Sequence, residues 1–571
     1  MTLQRARLPA LFFDRLAFLF LMLLALFFPF ELSLSSKVAD ADLTNVKIVE
    51  VLVIGCWLLS RIASRTLPRF PRGLALAVVL WLAALTISTL LAPDLLAHTV
   101  RFMSRIIQGL LLAWIAYDLI NTVAQWKAII MALVVAGFVV AILGLGEVAN
   151  IPFVVTFLTL FRPVQTHVGD VIRVSSTLEY ATVAAMVLEM LIPLMVAWAV
   201  TAQEQWLRLS LMAGILLSLV TLVLTLTRSA ILGLAVALIV MAGISLWGHR
   251  QISIAAAGTL IATGAIVGLL LILNPVVGLR LLSESENGWY QARYSAPIEV
   301  TARPNELINV PVQVTNAGLR TWQSLGDQPF RLGYTLTRAN DSSDKGLEGI
   351  RSELPNNVPP GQSLSLNAQV PAPKTPGHYL IQWDMVEESI LWFNWRGSPL
   401  GNTRLTVAGE PVTNTRLPNL APAKHSMEAP PVERSVLWGA ALRMFRERPV
   451  FGVGPDNFRW IYGRYLGFDH WDTNIHANSI YFEFLADTGL VGFVIFMWLN
   501  WRWLRLAFQK LNRQSNAQLW IWQLALIASL IAWFVHGIFD YFYEFAGTYI
   551  LFWLVAGLAI SVAVNVSREE A

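Results

Sequence analysis

Charge is scarce in this chain. Lysine, arginine, aspartate and glutamate make up 14% of its 571 residues. An ordinary soluble domain carries about a quarter, so both a disordered chain and a purely soluble one are excluded. Cysteine is nearly absent. Cys56 is the single one and lies inside an apolar run, which rules out an intrachain disulfide and a cysteine metal site. No strong charge imbalance exists either: the formal net charge is +4, and no nucleic-acid partner is expected. Repeats at the periods of solenoids or propellers are also missing.

What the chain has instead is apolar residues, 56% of the total, gathered in runs of about twenty. The runs predict twelve spans near 15–34, 47–64, 72–92, 100–120, 126–148, 177–200, 207–226, 229–247, 252–274, 480–503, 518–538 and 545–565. Each is long enough to cross a hydrocarbon core of about 30 Å as a helix. The run 151–161 is too short to span and reads as interfacial or re-entrant. No small-residue cleavage site follows the first run, which therefore reads as a retained span.

Basic residues set the orientation. Arg5, Arg7 and Arg15, then Arg61, Arg65, Arg69 and Arg72, then Lys127, Arg208, Arg250, Arg502, Arg505, Lys510 and Arg513 all fall on one side. Loops on the other side carry Asp40, Asp42, Asp94, Asp540 and Glu544. The positive-inside rule makes both termini cytoplasmic. It puts 149–176, the Arg228 region and the long stretch 275–479 outside, away from cytoplasmic nucleotides. The expected place is a bacterial inner membrane.

The expected organisation is a membrane part at 1–275 with about nine spans, an extracytoplasmic insert at 276–434, and 435–571 with an external loop segment and the last three spans. Within the insert, 286–410 reads as short alternating runs at 298–301, 307–315, 330–337, 363–370, 378–386, 389–395 and 402–407, separated by turns such as Pro359-Pro360-Gly361. That pattern predicts a β-sandwich, whose core would rest on Trp322, Tyr334, Trp383 and Trp392. The run Trp392-Phe393-Asn394-Trp395 is either a sugar-stacking platform or core, since alternate residues share a face. The stretch 411–434, with Pro411, Pro418, Pro422, Pro430 and Pro431, reads as a linker.

Two blocks follow the linker. One is Arg448-Pro449-Val450-Phe451-Gly452-Val453-Gly454-Pro455-Asp456-Asn457-Phe458. The other is His476-Ala477-Asn478-Ser479, continuing through Glu483 and Asp487 to Gly489 and Gly492. Their order, and their place immediately before a span, resemble the O-antigen ligase and polymerase family of bacterial membrane glycosyltransferases. That family has a Pro-x-x-Gly-x-Gly-x-x-x-Phe block, then a His-Asn element with Gly-x-x-Gly eleven residues after the histidine. Here Asn478 stands at the family's histidine position and His476 two residues earlier. The stretches Thr225–Ala230, with Arg228, and Arg173–Tyr180 resemble the family's arginine-tipped helix hairpin and its arginine-containing entry to a span. The insert resembles immunoglobulin-like domains of other envelope proteins in architecture alone.

The resemblance implies a polytopic α-helical membrane protein of the metal-independent GT-C type, with an Ig-like β-sandwich inserted. The implied reaction moves a glycan from an undecaprenyl-diphosphate carrier to a hydroxyl of a lipid, glycan or protein acceptor at the outer face of the bilayer, without a cofactor. Fixed cations in a low-dielectric cavity would stabilise the leaving diphosphate. Arginine suits that task because its fork binds phosphate bidentately and stays charged. Arg173 and Arg228 are the candidates, with Arg101 and Arg105 added because they lie one turn apart at the external end of a span. An arginine at a span end also serves as a snorkelling anchor. His476 is the expected base for the acceptor hydroxyl. Asn478 and Glu483 are candidates for donor or acceptor binding, and Glu483 or Asp487 for holding His476. Scattered external acids, Asp456, Asp469, Asp472 and Asp487, give only a weak metal option, and none is expected. His536, Asp540, Tyr543 and Glu544 cluster near the last external loop, to contact acceptor sugars or cap helices. A polymerase would use the same chemistry. A transporter would need a charged path, for which Glu50, Glu147 and Glu189 are the few candidates. A scaffold presenting the sandwich would need none of these groups.

Overall fold

The computed structural model describes residues 2–38, 41–162, 165–168, 171–282, 286–326, 328–339, 346–388, 390–412, 432–468 and 470–566. Most of the proline-rich linker, 413–431, lies outside these residues, as does Asp469. The chain forms two compact units. One comprises Met1–Val277 and Val432–Ala571, the other Gly278–Pro431.

The first unit is helical. Its N-terminal part holds α1 (Thr2–Phe27), the hairpin β1 (Ser33–Val38) and β2 (Ala41–Thr44), α2 (Asn45–Ser64), α3 (Ala75–Leu90), α4 (Leu96–Leu119), α5 (Val123–Val148) and α6 (Pro152–Leu158). The hairpin β3 (Thr166–Val168) and β4 (Val171–Arg173) follows, then α7 (Ala181–Thr201), α8 (Gln205–Leu224), α9 (Arg228–Ser245) and α10 (Arg250–Leu273), and α11 (Pro275–Leu282) carries the chain from the first unit into the second. Local chemistry sets several ends. Thr44 caps α2 by accepting the Lys47 N–H, and Thr122 with Gln125 forms a capping box on α5. α6 covers part of the run that is too short to span.

Nine helices among the described residues are long and apolar enough to cross a membrane: α1 from Pro9, α4 with the turn before it, α5, α7, α8, α9, α10, and two in the C-terminal part. This makes the protein a polytopic helical membrane protein. Three further expected spans coincide with helices outside that set. α3 is apolar but has 16 residues, and a C-terminal helix is apolar over Ala546–Ser561. α2 carries Lys47, Glu50 and Arg61.

α7 is the centre of the unit. Nearly all of its residues are buried, from Val183 through Ala197. It packs against α5, α8, α9 and α10. Close approach needs small side chains: a Cβ at Gly214 of α8 would lie 2.0 Å from the Phe138 ring on α5.

The second unit is β-rich. β5 (Ala292–Ser295) and β6 (Glu299–Ala302) are followed by β7 (Leu307–Asn316), β8 (Phe330–Arg338), β9 (Leu347–Glu348), β10 (Ser352–Glu353), β11 (Ser363–Pro371), β12 (Gly377–Glu387), β13 (Leu391–Trp392) and β14 (Gly401–Val407). One sheet runs β10-β8-β12-β14-β6, with β9 on β8 and β13 on β12; the other runs β11-β7-β5. Alternation explains the faces: Val310, Val312 and Val314 of β7 are buried while their neighbours are not. The Tyr334 hydroxyl of the larger sheet donates to the Gln369 carbonyl of the smaller at 3.2 Å. Trp322, Tyr334, Trp383 and Trp392 are all buried, as the sequence leads one to expect.

The expected strand at 389–395 is mostly not one. β13 has two residues, and Phe393–Arg396 turns as a 3-10 helix. The Asp384 carboxylate accepts the Asn394 N–H, and Gly397 closes the turn at φ 78°. Phe393 is fully buried among Tyr290, Trp322 and Phe330, so the core reading of this aromatic run holds for Trp392 and Phe393.

The remaining helices belong to the first unit: α12 (Arg434–Glu447), α13 (Phe458–Leu466), α14 (Ile480–Arg513), α15 (Ala517–His536) and α16 (Ala546–Val566). α14 and α15 complete the nine apolar helices. α15 packs on α7 and α9, α16 on α4, and α14 on α3.

Candidate functional site

The glycine block is built into a break in α14. Gly489 has φ 63° and ψ −168°, non-helical values inside the helix. The freed N–H groups of Leu490 and Val491 find the Pro449 and Val450 carbonyls at 2.8 and 3.2 Å. In return, Val453 and Gly454 N–H groups bond to the Ala486 and Asp487 carbonyls. The Asp487 carboxyl group accepts the Asp456 and Phe458 N–H groups at 2.7 and 2.9 Å, satisfying donors at the start of α13. With the N–H groups of 452, 453, 454, 456, 457 and 458 all bonded within the protein, this loop offers no phosphate cradle. Its task is to fix α13 against α14.

His476 lies just ahead of α14, whose N-cap is Ser479. Asn478 takes a left-handed conformation, φ 49°, which asparagine tolerates better than most residues. The chain thereby reverses, and His476 folds back over the helix start. Its ring is buried, 5% exposed. Nδ1 meets Glu483 Oε1, and the other Glu483 oxygen accepts the Ala477 N–H at 2.9 Å. Nε2 meets Glu544 Oε2 at 2.6 Å. The Tyr541 ring stacks on the imidazole at 4.2 Å. Glu544 also binds Arg459 of α13 at 2.8 Å, and Arg459 binds Asp456 at 2.8 Å. One chain of opposite charges therefore runs Glu483–His476–Glu544–Arg459–Asp456.

This chain moves the pKa of His476, Glu544 and Arg459. Burial alone would lower the His476 pKa, but Glu483 and then Glu544 outweigh it and lift it to about 10. Burial would raise Glu544, but His476, Arg459 and Arg105 draw it down to about 2. Arg459 is likewise held above its ordinary value: burial opposes its charge, but Asp456 and Glu544 prevail. At neutral pH His476 is therefore an imidazolium donating to Glu544, and neither nitrogen is open to accept a proton. Both ring nitrogens of His476, the base expected from the sequence, are thus engaged by carboxylates.

The arginine candidates sort by location. Arg173, at the end of β4, donates from Nε to the Thr225 carbonyl at 2.8 Å and from Nη2 to the Thr227 hydroxyl at 3.3 Å. That turn, with Leu226 at φ 53°, delivers Arg228 as the first residue of α9, where it is exposed. Arg173 and Arg228 thus share one turn. Beside them Ser229 donates to Asp540 at 3.1 Å; Asp540 also meets His536 at 3.2 Å and Arg434 at 3.3 Å, and His536 meets Glu189 at 3.0 Å. The loop between α15 and α16 therefore holds the arginine turn through Asp540 and the His476 ring through Tyr541 and Glu544. Arg105 faces the same loop, 3.4 Å from the Tyr543 carbonyl. Arg101 is exposed on α4 and is not brought to these groups. Asn478 is half-buried, with the left-handed backbone already described.

A cavity of about 650 Å³ opens beside Glu544, lined also by Glu50, Arg105, Gln108, Glu179 and Tyr180. Among the described residues, Asp456, His476 and Glu483 offer ligand atoms within 4.8 Å of one another. A cation there would compete with Arg459 for Asp456 and with the imidazolium for Glu483, so the donor set is already neutralised from within.

Sequence reasoning missed Arg459, and it saw Glu544 without its partner. Glu544 is 68 residues from His476, a pairing that no local spacing encodes.

No curated protein matches the chain. Among solved structures, the Pseudomonas fluorescens alkylpurine DNA glycosylase AlkC bound to DNA containing an abasic site analog overlays at 11% identity and TM-score 0.14, covering 58% of this chain and 99% of that chain. At that score the overlay carries no argument. Residues 423–497 match the family model described as O-antigen ligase. That segment contains the glycine block, His476 and Glu483, the two motif blocks on which the resemblance rests.

Proposed function

We propose that the protein transfers a glycan from an undecaprenyl-diphosphate carrier to an acceptor hydroxyl at the extracytoplasmic face of a bacterial inner membrane. The observation that carries this reading is the His476 imidazolium clamped between Glu483 and Glu544, inside the segment matched to O-antigen ligase, one loop away from the Arg173–Arg228 turn. Twelve spans, with α2, α3 and α16 completing the set, both termini cytoplasmic and an Ig-like insert outside, belong to the same reading.

In the proposed step the acceptor oxygen attacks the anomeric carbon. The bond from that carbon to the carrier phosphate breaks, and its electron pair leaves with the lipid diphosphate. Arg173 and Arg228 offset the growing negative charge. An oxocarbenium-like transition state needs little activation of the nucleophile, so a carboxylate suffices as base. Glu544 faces the cavity and takes the hydroxyl proton. His476, fixed by Glu483, orients Glu544 as a charged donor. No cofactor is required.

The test is rescue of a deletion strain in the native host. Arg228→Ala, His476→Ala and Glu544→Gln, present at wild-type protein levels, are expected to leave surface glycan unattached or short. Loss of attachment marks a ligase, and loss of length marks a polymerase. Full rescue by all three variants overturns the transfer reading in favour of a transporter or scaffold.

A further inference from the structure

The 650 Å³ cavity beside Glu544 has a wall unlike that of a diphosphate site. Four carboxylates face it: Glu31, Glu50, Glu179 and Glu544. Against them stand Lys47, Arg105 and Arg162, and Arg162 is already bound to Glu147. Glu544 is in turn paired with His476 and Arg459, which leaves Glu31, Glu50 and Glu179 against Lys47 and Arg105, so a lipid diphosphate placed here would compete with three carboxylates for two cations in a partly desolvated space. Glu179 already feels such crowding: burial and then Glu544 raise its pKa.

The same wall suits a hydroxylated, uncharged ring. Glu50 is 7% exposed and its Oε1 has no hydrogen-bond partner. A buried acceptor oxygen without a donor is costly, and a hydroxyl entering the cavity would supply one. Gln108 adds an amide that both donates and accepts. Tyr180 is 46% exposed beside Phe545, ring centroids 5.4 Å apart, and adds an accessible aromatic ring for the C–H side of a sugar. Glu544, which this cavity shares with the His476 centre, stands where a bound hydroxyl would lose its proton.

We propose that this cavity is the acceptor subsite and takes a neutral saccharide, while the donor's diphosphate binds on the Arg173–Arg228 side. The assignment rests on the glycosyl-transfer reading given above and adds which face serves which substrate. It makes Glu50, Gln108, Glu179 and Tyr180 specificity residues for the acceptor.

The test uses the full chain in lipid nanodiscs with Gln108→Leu, Glu179→Gln and Tyr180→Ala. Two quantities are measured: affinity for undecaprenyl diphosphate, and transfer rate against concentration of an acceptor extract from the deletion strain. The expected result is undecaprenyl diphosphate binding within about twofold of wild type, which also reports correct folding, together with at least about a tenfold rise in the extract concentration giving half-maximal rate. Weakened undecaprenyl diphosphate binding at an unchanged half-saturating extract concentration overturns the assignment and makes the cavity the donor site. Unchanged values of both also overturn it. A wild-type protein that neither binds undecaprenyl diphosphate nor transfers glycan removes the underlying reading itself, an outcome distinct from the other two.

Discussion

At His476 two carboxylates compete with burial for one proton, and they win. The consequence is a pH profile that separates two mechanisms. With His476 raised from 6.5 to about 10 and Glu544 lowered from 4.5 to about 2, the imidazolium–carboxylate pair persists between about pH 2 and about pH 10. If Glu544 is the base and His476 its charged holder, transfer stays level through the neutral range and falls as pH rises through about 10. If His476 were the base, transfer would instead climb toward that value. The linkage signs agree: the His476 contribution to stability is full below 6.5 and lost as pH rises through about 10, and that of Glu544 is full above 4.5 and lost as pH falls through about 2. Glu544→Gln removes the acceptor of the proton and is expected to lower kcat by about 10²-fold or more with little change in donor KM. At this scale the motif count led to His476 and the spacing to Gly489, and Asn478 looked like a displaced partner. Its left-handed backbone, φ 49°, which the spacing does not reveal, is what folds His476 back over the helix start.

Among the elements, the break in α14 is the part most dependent on single residues. A Cβ at Gly452 would lie 2.3 Å from the Asp487 backbone, and one at Gly489 would lie 2.5 Å from the Val450 carbonyl. Both positions also have positive φ. Gly489→Ala and Gly452→Ala are therefore each expected to cost about 2 kcal/mol or more, read as a lower thermal-inactivation temperature in detergent. The glycine spacing was visible in the sequence; its purpose, satisfying a helix break from outside, was not, because the bonding partners lie more than thirty residues apart. In the β-rich unit the alternating runs located most strands, since one buried face imposes period two. The pattern failed at Phe393, where Asp384 draws the Asn394 N–H and turns the chain. Phe393→Ala should cost about 3–5 kcal/mol in an unfolding curve of that unit. A surface sugar platform would lose almost nothing.

For the molecule as a whole, apolar run length gave the polytopic character directly, because a bilayer demands about twenty apolar residues per helix. The runs were less decisive where charge or length intervened, as in α2 and α3. Composition also separated the β-rich insert, and the structure draws it as its own compact unit, Gly278–Pro431. Its buried core of Trp322, Tyr334 and Trp383 predicts that residues 286–412, expressed alone, are soluble and unfold cooperatively. An aggregated product would contradict this. The convergence of the α15–α16 loop on two centres lay beyond any sequence argument, since it joins α4, α7, α9, α12, α13 and α14. Because Arg459 and His476 already neutralise the local acids, transfer is expected to persist in excess chelator, and its loss there would require a bound cation.

The central claim is that one bond is broken and one made at this site. The most direct measurement follows both in purified protein in nanodiscs, supplied with undecaprenyl-diphosphate-linked glycan and acceptor extract. The account predicts one undecaprenyl diphosphate released for each glycan joined to acceptor, with both signals lost together in Arg228→Ala. Glycan that crosses a sealed bilayer while still attached to its carrier, with no release, would contradict it.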